Sequence, residues 1–92
     1  EASPAAELVE EGRIVYAGSL ADQGRIRDGI RTLEKAPRAP KKPKLHHLRR
    51  WYALADLYER AGDLGRARRL FNEVATLDPT FGDAGQRARS LR

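Results

Sequence analysis

Apolar residues recur along this chain at the three- to four-residue spacing that lines one side of a helix. Nowhere do they alternate with period two for more than a few positions. The first stripe, Leu8, Val9, Gly12, Val15, Tyr16, Ser19 and Leu20, predicts a helix entered at Ser3-Pro4 and left at Asp22-Gln23-Gly24. A second stripe follows in Ile26, Gly29, Ile30, Leu33 and Ala36. A third helix is predicted over 45–61, with Leu48, Trp51, Leu54, Ala55 and Tyr58 on one face and Gly62-Asp63 ending it. A fourth, over 64–77, is expected to bury Leu64, Ala67, Leu70, Phe71 and Val74, and stops at Asp78-Pro79. Phe81, Ala84, Ala88 and Leu91 line a short fifth helix. Between the second and third, Pro37, Pro40 and Pro43 keep the three-residue turn of polyproline II, so 37–44 reads as a stiff, solvated connector rich in proline and lysine. The pattern is all-α.

The helices repeat. A shift of 38 residues pairs Tyr16 with Leu54, Ala17 with Ala55, Leu20 with Tyr58, Gly24 with Gly62, Ile26 with Leu64, Gly29 with Ala67 and Leu33 with Phe71. Each half is a helix–turn–helix with a glycine turn and a small residue where two helices cross. In the second half, Trp51, Leu54, Ala55, Tyr58, Ala67, Phe71 and Pro79 stand at fixed spacing. Ala55 and Ala67 allow close approach, the aromatics fill the gaps around them, and Pro79 turns the chain onward.

Residues 48–81 thereby resemble a tetratricopeptide repeat. Residues 10–43 resemble a degenerate copy, with Arg13 in place of the signature aromatic, Leu20 in place of the tyrosine and Gly29 in place of the alanine. The resemblance implies an antiparallel helical solenoid over 1–92, of about two repeats closed by a capping helix at 82–92. Arrays of this kind usually need about three repeats, so upstream helices, a partner or self-association to a homo-oligomer is expected to cover the deficit.

Composition narrows the chemistry. Zero cysteines exclude a disulfide scaffold, a thiolate metal site and a cysteine nucleophile, and fit a reducing, cytoplasmic setting. No apolar run is long enough for a membrane span. Arginine outnumbers lysine and alanine and glycine abound, which suggests a high-GC, bacterial coding sequence. Methionine is absent even at position 1, which predicts a processed chain or a piece of a longer one. The formal charge of +5 is unevenly placed, with four acids and no cation in residues 1–11, and six cations and no acid in 38–50.

Catalytic constellations are missing. His46 and His47 are adjacent, so their side chains leave a helix about 100° apart and do not form an i, i+4 metal chelate. The glycines precede no Lys-Ser or Lys-Thr phosphate loop, and the serines sit in no nucleophile elbow. The expectation is a non-enzyme with no cofactor and no metal.

Two surfaces remain. The resemblance implies a groove lined by the first helix of each repeat, taking a peptide or helix of a partner protein. Its positions here are Arg49, Tyr52, Asp56, Glu59 and Arg60, with Glu11, Ile14, Gly18, Ala21 and Asp22 in the first repeat. Some family members hold a partner's C-terminal carboxylates with lysine and asparagine there. Ile14, Gly18 and Ala53 occupy the places those residues would need, so that specificity is not expected. The second surface is the basic stretch Arg38, Lys41, Lys42, Lys44, Arg49 and Arg50, which suits phosphates or an acidic partner. Nucleic acid ranks below a protein partner because Trp51 belongs to the repeat core, leaving Tyr52 as the only free aromatic.

Overall fold

A computed structural model describes residues 4–36 and 41–91. The serine of the expected first cap, and Arg38 with Pro37 and Pro40 of the connector, lie outside the described residues. Five helices follow in order: α1 (Pro4–Asp22), α2 (Ile26–Glu34), α3 (Leu45–Arg60), α4 (Leu64–Leu77) and α5 (Ala84–Ser90). No strand occurs among the described residues. α1 packs on α2, α3 packs on both of them and on α4, and α4 carries α5. The shortest principal extent is 19 Å, which is two helices of about 10 Å each.

The two hairpins close by the same device. Gly24 (φ 83°) and Gly62 (φ 88°) take the left-handed conformation that a side chain would oppose. Arg25 N–H then reaches back to Leu20 O at 2.8 Å, and Asp63 N–H to Tyr58 O at 2.9 Å, satisfying the last carbonyls of α1 and α3. The helix starts differ. Asp63 caps α4 by accepting from Arg66 N–H at 3.2 Å, whereas Arg25 offers α2 no side-chain cap.

Alanines 17, 55 and 67 are fully buried where helices cross, and Phe71 and Val74 fill the space between α3, α4 and α5. Leu20, Ile30, Leu33, Leu48, Leu57, Tyr58, Ala84, Ala88 and Leu91 complete the core, with Trp51 half-buried against it. Gly29 marks the tightest crossing. A Cβ there would lie 2.7 Å from the backbone oxygen of Ala17 and 3.2 Å from Leu57 Cδ1.

Of the apolar stripe expected on α1, only Leu20 is buried. Leu8, Val9, Val15 and Tyr16 are exposed, Leu8 by 73% and Val15 by 69%. The helix instead turns Glu10, Ala17, Leu20 and Ala21 inward, with Ile14 half-buried. Apolar residues run round most of α1, so pattern alone defines no face. Ala17 and Gly29 mark the tightest point of the α1–α2 crossing, where a side chain at 29 would meet the Ala17 carbonyl. Leu64 is also a correction: at the first turn of α4 it is 43% exposed.

Candidate functional site

One face of α3 carries Arg49, Tyr52, Asp56, Glu59 and Arg60, spaced three and four residues apart so that they share that side. All five are engaged within the chain. Arg49 holds Glu11 of α1 with two bonds of 2.9 Å. Arg60 reaches Asp22 at the end of α1 at 3.3 Å and Asp56 at 3.9 Å. Arg87 of α5 donates to Tyr52 Oη at 3.1 Å, to Asp56 at 2.9 Å and to Glu59 at 2.6 Å. The Tyr52 hydroxyl in turn donates to Asp83 at the start of α5.

The walls of this cluster are aromatic. The Arg87 guanidinium lies 4.3 Å from the Phe71 ring centroid and 5.5 Å from that of Tyr52. Tyr52 meets Phe71 edge to face at 5.3 Å and Phe81 at 5.8 Å. Burial by itself would lower the Arg87 pKa, but bonds to Tyr52, Glu59 and Asp56 outweigh it and the net shift is upward. Burial and the bond to Asp83 raise the Tyr52 phenol. The cluster therefore holds a permanent cation among acceptors and rings.

Arg87, Asp83 and Phe81 are the members that sequence reasoning missed. Arg49 and Arg60 of α3 meet Glu11 and Asp22 of α1 at a separation of 38 residues. Arg87 meets Asp56 and Glu59 at 31 and 28 residues instead, so the 38-residue shift along the sequence did not announce it.

The basic stretch does not form one surface. Lys41, Lys42 and Lys44 are exposed, but Arg49 is taken by Glu11, and Arg50 is only 4% exposed and ion-paired with Glu10 of α1. Arg50 is thus a correction: it belongs to the α1–α3 interface and not to an accessible patch. Trp51 and Tyr52 both pack against the core, so neither aromatic next to the basic stretch is free for stacking on a base.

His46, buried, and His47, half-buried, come together with Glu10, their ligand atoms all within 4.8 Å of one another. This is the one grouping of metal-binding side chains among the described residues, and Glu10 Oε1 in it accepts no hydrogen bond. Two features favour a structural part for the cluster. The other Glu10 oxygen is held by Arg50, and His47 Nδ1 accepts the Lys44 N–H at 2.9 Å. That bond places the proton of neutral His47 on Nε2, so coordination would surrender the helix-start contact. Burial, with His46 and Arg50 nearby, depresses the His47 pKa.

A second surface is the open face of α1. Leu8, Gly12, Val15 and Ser19 stand 38 residues before His46, Arg50, Ala53 and Leu57. On α3, His46, Arg50 and Leu57 are buried by the preceding hairpin, while Leu8 and Val15 on α1 are exposed. Among the described residues no helix is long and apolar enough to cross a membrane. No curated protein and no solved structure matches the chain. Residues 49–81 match the family described as Tetratricopeptide repeat.

Proposed function

We propose, from the match of residues 49–81 to the tetratricopeptide repeat family, that the chain is a non-catalytic protein-interaction module whose partner lies along the α3 face of Arg49, Tyr52, Asp56, Glu59 and Arg60. Repeats of this family mediate protein–protein interaction. The observation that carries the choice of face is the Tyr52–Asp56–Glu59 cluster, which already grips a side chain from another helix. A face that holds α5 by polar and aromatic contacts has the chemistry to hold a peptide. The cysteine-free composition suits a cytoplasmic setting, and the excess of arginine over lysine with abundant alanine and glycine suits a bacterial one.

The test is retention of a single partner across variants. A partner held by the wild-type chain, identified by mass spectrometry, is expected to be lost from Tyr52→Ala/Arg60→Ala and kept by Lys41→Ser/Lys42→Ser/Lys44→Ser. The reverse outcome would assign binding to the lysines and to an acidic partner or nucleic acid.

A second reading, self-association, has its own support in the open face of α1. Its apolar residues occupy the places that α3 covers with a neighbouring hairpin, so a second copy could complete the array.

A further inference from the structure

The α3 face, on whose proposed role this inference rests, carries a side-chain cluster with a definite chemical preference. Two carboxylates, Asp56 and Glu59, and the Tyr52 phenol converge on one guanidinium, which lies over the Phe71 ring. We infer that Tyr52, Asp56, Glu59 and Phe71 form a guanidinium-binding site, that α5 is its resident occupant in the free chain, and that the partner segment it takes is a peptide presenting an arginine.

The geometry discriminates between cations. Arg87 uses Nη1 for the phenol and Nη2 for both carboxylates, while its central carbon lies over the Phe71 ring. A planar fork can do all of this at once, whereas an ammonium is a compact point charge without a face to stack. Tyr52 is oriented for the task, because its proton goes to Asp83 and its oxygen is left to accept. Removing Arg87 would take from Asp56 and Glu59 the cation they share, leaving Arg60 3.9 Å from Asp56. An acidic or neutral side chain does not satisfy such a hole.

The occupant is a single short helix packed on α4. α5 has seven residues, and its buried side chains, Ala84 and Ala88, are small, joined by Leu91 just beyond its end. A helix this short has little stability of its own, so its docking depends on those contacts and on Arg87. A competitor that supplies a guanidinium and its own apolar contacts replaces what α5 provides. The device is also a brake, since a partner must displace α5 and its apparent affinity falls by the fraction of chains already open.

The test uses the full chain and a fluorescein-labelled peptide, acetyl-Ala-Gly-Gln-Arg-Ala-Ala-Ser-Leu-amide, with a twin carrying citrulline in place of arginine. Citrulline keeps the shape and removes the charge. Anisotropy titrations are expected to show Arg87→Ala binding the arginine peptide roughly tenfold more tightly than wild type, as emptying the site removes the resident competitor. The citrulline peptide is expected to lose that gain, as is the triple variant Arg87→Ala/Asp56→Asn/Glu59→Gln. Equal binding by wild type and Arg87→Ala, or equal binding of both peptides, overturns the inference. Should Arg87→Ala lose its helical circular dichroism, Arg87→Lys keeps the charge without the fork. It is expected to show a smaller gain, and no gain counts against the site. The groove itself is judged separately: a partner lost with Tyr52→Ala/Arg60→Ala but no arginine preference keeps the groove and discards this pocket. An arginine peptide that binds while that variant keeps the partner does the opposite.

Discussion

Where α2 crosses α1, Gly29 stands against the Ala17 carbonyl. Thirty-eight residues later, where α4 crosses α3, the equivalent Ala67 fits with its methyl fully buried. The first hairpin is thus drawn tighter than the second by one methyl group, and it also lacks the side-chain cap that Asp63 gives α4. The contrast extends to their outer faces. α3 is covered on one side by the first hairpin and meets Arg87 of α5 on another, whereas α1 leaves Leu8 and Val15 to solvent. Glycine at 29, where the second hairpin has Ala67, is therefore not a defect. It is a fitted change, made necessary by how closely these two helices approach.

The sharpest break in this comparison is at the seam between the hairpins. Arg50→Ala would leave the Glu10 carboxylate buried without its cation, and removing one member of a buried pair costs about 3–5 kcal/mol. Chemical denaturation should show the loss, and the double change Arg50→Met/Glu10→Leu should recover a large part of it. Full stability in the single variant would mean that the pair is solvated.

The crossings come next. Gly29→Ala should destabilise by about 1–3 kcal/mol, since the obstructing atom is a backbone oxygen that cannot move aside. In the second hairpin Ala67→Gly should cost only about 1 kcal/mol, mainly through helix propensity and a lost methyl. Equal effects at both sites would erase the distinction between the two crossings.

Acid titration sharpens the difference at the start of α3. A histidine whose pKa is depressed in the fold takes up its proton more readily when unfolded. Its contribution is complete above about 6.5, the ordinary value, and is lost as pH falls below it. Wild-type stability should therefore decline from pH 7 to pH 5. His47→Gln retains an acceptor for the Lys44 amide and should flatten that decline. An unchanged profile would assign the acid sensitivity elsewhere.

The smallest stability effect is expected on the open face. Leu8→Lys/Val15→Lys alters two exposed residues, so thermal stability at low concentration should move by only about 0.5 kcal/mol. If α1 mediates self-association, sedimentation should show the wild-type chain forming larger species with concentration and the variant remaining a monomer. Identical sedimentation would remove α1 as an interface.

Element positions were legible along the chain because their signals are local. Gly24 and Gly62 close both hairpins, Asp78-Pro79 follows the end of α4, and the spacing from Leu48 to Val74 announces a buried stripe on α3 and α4. The five residues of the α3 face were named through the resemblance to the repeat, which places them beside that stripe. Their occupancy was not. Asp56 and Glu59 look solvated along one helix, and only the packing of α5 brings Arg87 onto them. Lys41 and Arg50 look alike in a run of cations, yet one is exposed and the other lies in the α1–α3 seam.

What the sequence determined by itself was the set of helices, their turns and the repeat that relates them, since propensity, capping and periodicity act within a few residues. What only the tertiary structure decided was rotation and pairing. α1 carries apolar residues around its circumference, so the choice of Ala17 and Leu20 over Leu8 and Val15 as its inner face came from the approach of α2 at Gly29 and of α3 at Arg50. Close contact between small residues and neutralisation of a buried charge are properties of two surfaces at once, and no single helix encodes them alone.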